Sequence, residues 1–171
     1  MGGSVQLRIG EPTVREDRFR RSLNRILRRT VLCSISTVSS AGRAHVNTAY
    51  FAVSSDLELY FLSDPLSQHA RNIRRNPSAA VAVFDSHQTW GKADRGAQLF
   101  GRCTQAEEGV AVKAADVYAC RFPRFSRWSD RLAADAPARK WKFFEFVPSV
   151  VKVLDEVTFG QLGFVRASVI R

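Results

Sequence analysis

The stretch HVNTAYFAVSSDLELYFLSDPLSQHARNIRRNP, from His45 to Pro77, decides how this chain is read. Ala44 to Val53 is rich in β-branched and aromatic residues and reads as a strand. Ser54-Ser55-Asp56 supplies a turn. Leu57 to Leu62 reads as the next strand, with Leu57, Leu59 and Phe61 alternating against Glu58 and Tyr60. A short helix follows from about Pro65 to Arg75. Asp64 suits its cap, Pro65 its first turn and Asn76-Pro77 its end, with Leu66, Ala70 and Ile73 facing the sheet. A strand that runs out into a helix N-terminus leaves backbone N–H groups unpaired beside a positive dipole end. The hydroxyls of Ser63 and Ser67 and the donors of Gln68, His69 and Arg71 gather at that end. This is an anion site in physical outline. From local pattern alone, an ordinary capped surface helix accounts for the same residues.

Outward from this stretch, strand signals recur at short intervals. Residues 1–14 read as an N-terminal arm or short edge strand, and residues 15–171 as one domain. Glu16 to Arg29 places Phe19, Leu23, Ile26 and Leu27 on one helical face and arginines elsewhere, the pattern of an amphipathic helix laid on a core. Val31 to Val38, Ala79 to Phe84 and Ala97 to Thr104 read as strands, with Gly101 marking a bend or bulge. Glu107 to Cys120 carries a helical pattern. Phe122 to Pro137 is an aromatic and basic connection. Lys142 to Val147 and Val150 to Val157 read as two final strands before a segment from Phe159 to Arg171. The sum is an α+β fold, mainly antiparallel β, in a barrel or sandwich with short peripheral helices. No GxGxxG occurs and strands do not alternate regularly with helices, which disfavours a Rossmann domain.

Composition narrows the function classes. Hydrophobic residues make up 45% of the 171 residues, enough for a packed core. No apolar run long enough to span a membrane and no signal-peptide pattern occurs, so a soluble, cytoplasmic protein without a membrane partner is expected. Cys33, Cys103 and Cys120 are widely spaced and odd in number, which argues against disulfides and a Cys-based metal site. His45, His69 and His87 sit in separate elements, and no metal site is expected. Hydrolase and P-loop motifs are missing. The net charge of +10, with 21 arginines among 26 basic residues, favours an anionic partner without choosing one. A nucleic-acid partner is not expected, since the arginines of Glu16–Arg29 read as a solvated helix face.

The segment Gly42 to Asn76 resembles the FMN-binding split barrel of the pyridoxamine 5′-phosphate oxidase superfamily. The pieces that carry the resemblance are Asn47-Thr48-Ala49-Tyr50-Phe51, Leu59-Tyr60-Phe61-Leu62-Ser63, Ser67-Gln68-His69-Ala70 and Asn76-Pro77. Arg95 to Gly101, Tyr118 to Pro123 and Leu162-Gly163-Phe164 extend it to roughly residues 25–165. The resemblance implies a split β-barrel with flavin held at a homodimer interface. It implies cofactor contacts from Asn47, Thr48, Leu62, Ser63, Ser67, Gln68, His69 and Gln98, the last approaching the ring from the neighbouring strand. It places Tyr118 and Arg121 where the oxidase holds its substrate's phosphate, on a segment supplied by the partner subunit. Gln68-His69 stands where the oxidase has Arg-Lys. The expected function is an FMN-dependent oxidoreductase acting on a small molecule, a chemistry that needs no triad or carboxylate pair. The same fold in relatives takes the deazaflavin F420 or haem, with His69 or His45 as a haem ligand. A non-catalytic basic binding module is the alternative of a different class.

Overall fold

A computed structural model describes residues 5–171, and residues 1–4 of the expected arm lie outside the described residues. The remainder of the arm is edge strand β1 (Gln6–Ile9), followed by helix α1 (Glu16–Arg29). Strands β2 (Leu32–Val38), β3 (Ala44–Val53) and β4 (Leu59–Ser63) form the expected meander, and helix α2 (Gln68–Arg75) follows. Then come β5 (Ser78–Phe84), β6 (Arg95–Gln105), helices α3 (Glu108–Arg121) and α4 (Phe125–Asp130), and β7 (Lys142–Asp155). A single helical turn, α5 (Glu156–Phe159), leads to β8 (Phe164–Ile170). The strand order is β1-β8-β7-β4-β3-β2-β5-β6, every neighbour antiparallel, and β6 pairs back onto β7. Six strands therefore close into a barrel, with β8 and β1 attached along the outer half of β7.

Inward-facing residues of period two fill the barrel. Ile35, Phe51, Phe61, Leu99, Phe146 and Val153 are at most 1% exposed. Each such side chain contributes about 1.5–3 kcal/mol by leaving water. Phe19, Leu23 and Leu27 of α1 add to this core as the 3.6-residue pattern predicts. The Ser22 hydroxyl on the same helix donates to buried Asp155 at 2.6 Å, and Arg95 reaches the other carboxylate oxygen at 3.1 Å. Helix, β6 and β7 are thereby pinned together.

The structure departs from the sequence reading at four places. Leu57 does not begin β4: it sits in the turn at φ 61°, and its side chain is buried in the core. Burial of a leucine outweighs the roughly 1–2 kcal/mol cost of a left-handed residue. Tyr60 is fully buried rather than facing water, because α3 covers the second face of β4. Ser67, not Asp64, caps α2 by accepting from the Ala70 N–H at 3.3 Å, while Asp64 accepts from Leu66 N at 2.8 Å in the preceding turn. The helix thus starts later than expected and Leu66 is left exposed. Finally, residues 142–155 form one strand, not two. Pro148 lies opposite a bulge at Phe100/Gly101, where the ladder does not require its missing N–H.

Strand β3 pairs with β2 along Ala44–Tyr50, but β4 contacts it only at residues 51–53. Beyond that point β3 and β4 part, while β4 stays paired with β7 along its whole length, Leu59 to Ser63. The barrel is therefore split between the first half of β3 and the end of β4. That split positions the site.

Candidate functional site

The split opens into a cavity of about 690 Å³, within the range of small-molecule sites. One wall is β3, through Asn47, Thr48, Ala49 and Tyr50. The side of β3 that β4 has abandoned carries backbone N–H and C=O groups of an open strand edge. A second wall is the β4 exit and α2, through Leu62, Ser63, Asp64 and His69. The third is aromatic: Tyr118 of α3 and Phe122 just after it, Phe125 and Trp128 from α4, and Trp141 just before β7, with Arg124 among them.

At the α2 end, His69 Nε2 lies 2.6 Å from Ser63 Oγ and 3.0 Å from Ser67 Oγ. The His69 ring stacks nearly parallel to His45, with centroids 6.4 Å apart, and meets Phe61 and Phe144 at its other sides. Burial and then repulsion from His45 pull its pKa below the usual histidine value, against the opposing charge of Asp64. His69 is therefore neutral at pH 7, able to accept one hydroxyl proton at a ring nitrogen. On the β3 wall, Asn47 pairs with Ile35 across the strands, and its Oδ1 is buried with no hydrogen-bond partner among the described residues. Leaving such an acceptor unmade costs about 1–3 kcal/mol, which a ligand N–H would recover.

Of the residues singled out from the sequence, Asn47, Thr48, Leu62, Ser63, His69 and Tyr118 line this one cavity. Ser67 touches it through His69. Gln68 does not line it, since its amide is taken by Asn72 at 2.8 Å and by Arg71 at 2.7 Å. Gln98 lies on the outside of the barrel in the cross-strand row Thr48–Ser34–Ala82–Gln98, three strands from β3 rather than next to it. Arg121 points behind the aromatic wall. Its guanidinium donates to the carbonyls of Leu27 at 2.8 Å and Thr30 at 2.5 Å and lies over the Phe51 ring at 4.7 Å. The Tyr118–Arg127 segment closes the cavity of its own chain, because α3 packs on β3, β4 and β7. Burial of Tyr118 pushes its phenol up to about 12, so it stays a neutral hydroxyl.

Sequence reasoning placed the Tyr118–Arg127 segment beside the substrate without singling out Arg124, and it did not assign Trp128 or Trp141 to the site. Phe122, Phe125 and Trp128 recur every three residues across the junction of α3 and α4, a spacing legible in the sequence. Trp141 carried no such signal, since only the tertiary fold brings it beside Trp128, 6.2 Å between ring centroids. Among the described residues no cluster of His, Cys, Asp or Glu suits a metal ion, and no helix is long and apolar enough to cross a membrane.

A family model described as pyridoxamine 5′-phosphate oxidase matches residues 19–152. No curated protein matches the sequence significantly. Among solved structures, the chain is similar to the haem storage protein HutZ of Vibrio cholerae, with TM-score 0.60, 16% identity and 75% of this chain and 88% of that one covered. It is similar to an FAD-binding protein of Mesorhizobium loti, with TM-score 0.60, 17% identity and coverage of 95% and 98%. A putative pyridoxamine 5′-phosphate oxidase of Listeria innocua gives TM-score 0.59, 17% identity and coverage of 80% and 98%. These likenesses concern the fold.

Proposed function

The chain belongs to the pyridoxamine 5′-phosphate oxidase family, and on that premise we propose that it is an FMN-dependent oxidoreductase that works as a homodimer. The observation that carries this reading is the open edge of β3 facing the N-terminus of α2 across one cavity. A strand edge offers alternating donors and acceptors, which match the heteroatom edge of a flavin ring and which a haem rim does not need. Asn47 Oδ1 adds a buried acceptor that lacks a donor. Ser63, Ser67 and His69 then receive the phosphate, aided by the free N–H groups that open α2. Thr48 and Leu62 bound the ring pocket, and Gln98, on the outer face, serves the partner's site.

Bound there, FMN supplies hydride and electron transfer, and the protein supplies position and electrostatics. One of the Ser63 and Ser67 hydroxyls donates to His69 Nε2, which holds it in place, and the other donates to the anion. The aromatic wall excludes water from the reacting face. Tyr118, neutral over the physiological range, offers the substrate a hydroxyl. Arg121 acts at one remove, holding Phe122 and the end of α3 against α1.

The homodimer is supported by the outer face of the β3-β2-β5-β6 sheet. Ser34, Ser36, Ala80 and Ala82 form a flat centre there, flanked by exposed Leu32, Val46, Tyr50, Phe84 and Phe100. An apolar face of this shape is expected to be covered by a second copy.

The test is the visible spectrum of the purified protein, followed by titration of FMN fluorescence. Flavin absorbance, or saturable quenching at one FMN per chain, is expected. A protein with neither is not a flavoprotein. Haem is the second reading, favoured by His69, the one histidine that lines this apolar cavity. A haemin titration that yields a sharp Soret band, lost in His69→Ala, would replace the first reading with it, and F420 is tested by the same titration.

A further inference from the structure

The wall opposite the strand edge has a chemistry of its own. Tyr118, Phe122 and Phe125 pack ring to ring at 4.7 and 5.0 Å, and Trp128 and Trp141 extend the row. Trp128 and Trp141 remain 41% and 40% exposed although they border a cavity. Large aromatic faces left wet beside a pocket mark a contact surface. The polar groups on this wall are almost all donors: the guanidinium of Arg124 and two indole N–H groups, with the Tyr118 hydroxyl the one group that also accepts. Arg124 has no ion pair and no side-chain hydrogen bond among the described residues. The surrounding charge points the same way. Residues 121–142 hold seven Lys or Arg against two Asp, half of the chain's net +10. Of these, Arg124 lines the cavity itself, facing Asp64 on the opposite wall, and the net positive segment behind it favours anions.

We infer that the 118–141 wall is a substrate-recognition surface for a planar, predominantly apolar aromatic carboxylate, its ring stacked on Trp128 and Trp141 and its carboxylate paired with Arg124. Arg124 and the two indole N–H groups satisfy carboxylate oxygens, and only the Tyr118 hydroxyl on this wall can accept from a ligand. Ring hydroxyl and amine groups lose their water against this stack of aromatic faces, which disfavours pyridoxamine 5′-phosphate relative to an apolar aromatic acid. A fork-shaped guanidinium matches two carboxylate oxygens. This assignment rests on the proposed function, since the substrate is taken to lie between the flavin and this wall.

Isothermal titration of the FMN-loaded protein with 2-naphthoate, its neutral isostere 2-naphthamide and pyridoxamine 5′-phosphate tests it. The acid is expected to bind at least tenfold tighter than either comparison ligand. Arg124→Gln is expected to weaken the acid at least tenfold, to the level of the amide, and Trp128→Leu to weaken acid and amide alike. Equal binding of acid and amide, tighter binding of pyridoxamine 5′-phosphate, or an Arg124→Gln variant with unchanged affinity for the acid overturns the inference. The variants' flavin content and thermal unfolding report whether they are folded. If the protein takes up no FMN, the proposed function fails, and the same titration on the flavin-free protein decides the aromatic wall separately.

Discussion

His69 shows how one residue sets the behaviour of the proposed phosphate subsite. It stands where an ion pair with phosphate needs a cation, yet burial and His45 keep it neutral at pH 7. Its pKa is lower folded than unfolded, so acidification below about 6.5 protonates the unfolded chain first and stability falls. A bound phosphate reverses the preference by pairing with the charged ring. FMN is therefore expected to bind more tightly as pH falls from 8 to 6, measured by fluorescence quenching. His69→Lys is expected to strengthen binding about tenfold at pH 8, equivalent to about 1.4 kcal/mol, and to flatten the pH dependence. An affinity for FMN that does not change with pH in the wild type would remove His69 from the phosphate subsite. Asn47 is the second decisive residue. Replacing it with Leu removes an unpartnered buried acceptor, so the ligand-free protein should melt no lower, while FMN affinity drops about tenfold through loss of one hydrogen bond.

Among the elements, β6 and α3 carry the sharpest constraints. Gly101 lies at the bulge where β6 passes β7, and a Cβ there would sit 2.1 Å from the Val147 carbonyl oxygen. Backbone cannot yield as a side-chain tip can. Gly101→Ala is expected to destabilise by about 3 kcal/mol in chemical denaturation, whereas Gly109→Ala, with open space around its Cβ, should be neutral or stabilising. Helix α3 is held at its end by Arg121, which donates to two carbonyls at the C-terminus of α1. Arg121→Met loses both charge-assisted bonds and should cost about 2 kcal/mol. Its FMN affinity should follow stability rather than charge, and a variant of full stability with no FMN binding would instead make Arg121 a direct ligand. The ends of these elements were less legible than their middles. Helix α1 was readable to the residue because its apolar period is uninterrupted, and strand β3 because turn residues bound it at both ends. The start of α2 was not, because Asp64 and Ser67 are both good caps, and the choice depended on the Asx turn in which the Asp64 carboxylate accepts from Leu66 N–H.

For the whole molecule, assembly is the property still to be measured. With the small-residue centre and apolar flanks of the outer sheet as the expected interface, Val46→Asp should convert a dimer to a monomer in light-scattering chromatography. Val46 is 62% exposed, so the fold itself should survive. Loss of FMN along with the dimer would tie the cofactor to the interface; a monomeric wild type would sink the proposal. The same scale separates what the residue order determined from what folding decided. Hydrophobic period, turn chemistry and the Gly101 bulge are local properties of the chain, so an antiparallel β fold with an amphipathic first helix followed from sequence alone. The resemblance in motif order added the split barrel. The position of Tyr60 between two layers, the outward row that takes Gln98 away from Thr48, and the use of Arg121 inside the protein were not local. Each depends on which elements pack face to face across long separations in the chain. The cavity belongs to that second group: it exists because β3 and β4 part beyond Phe51 and Phe61, and its aromatic wall joins Tyr118 to Trp141 only in the folded chain.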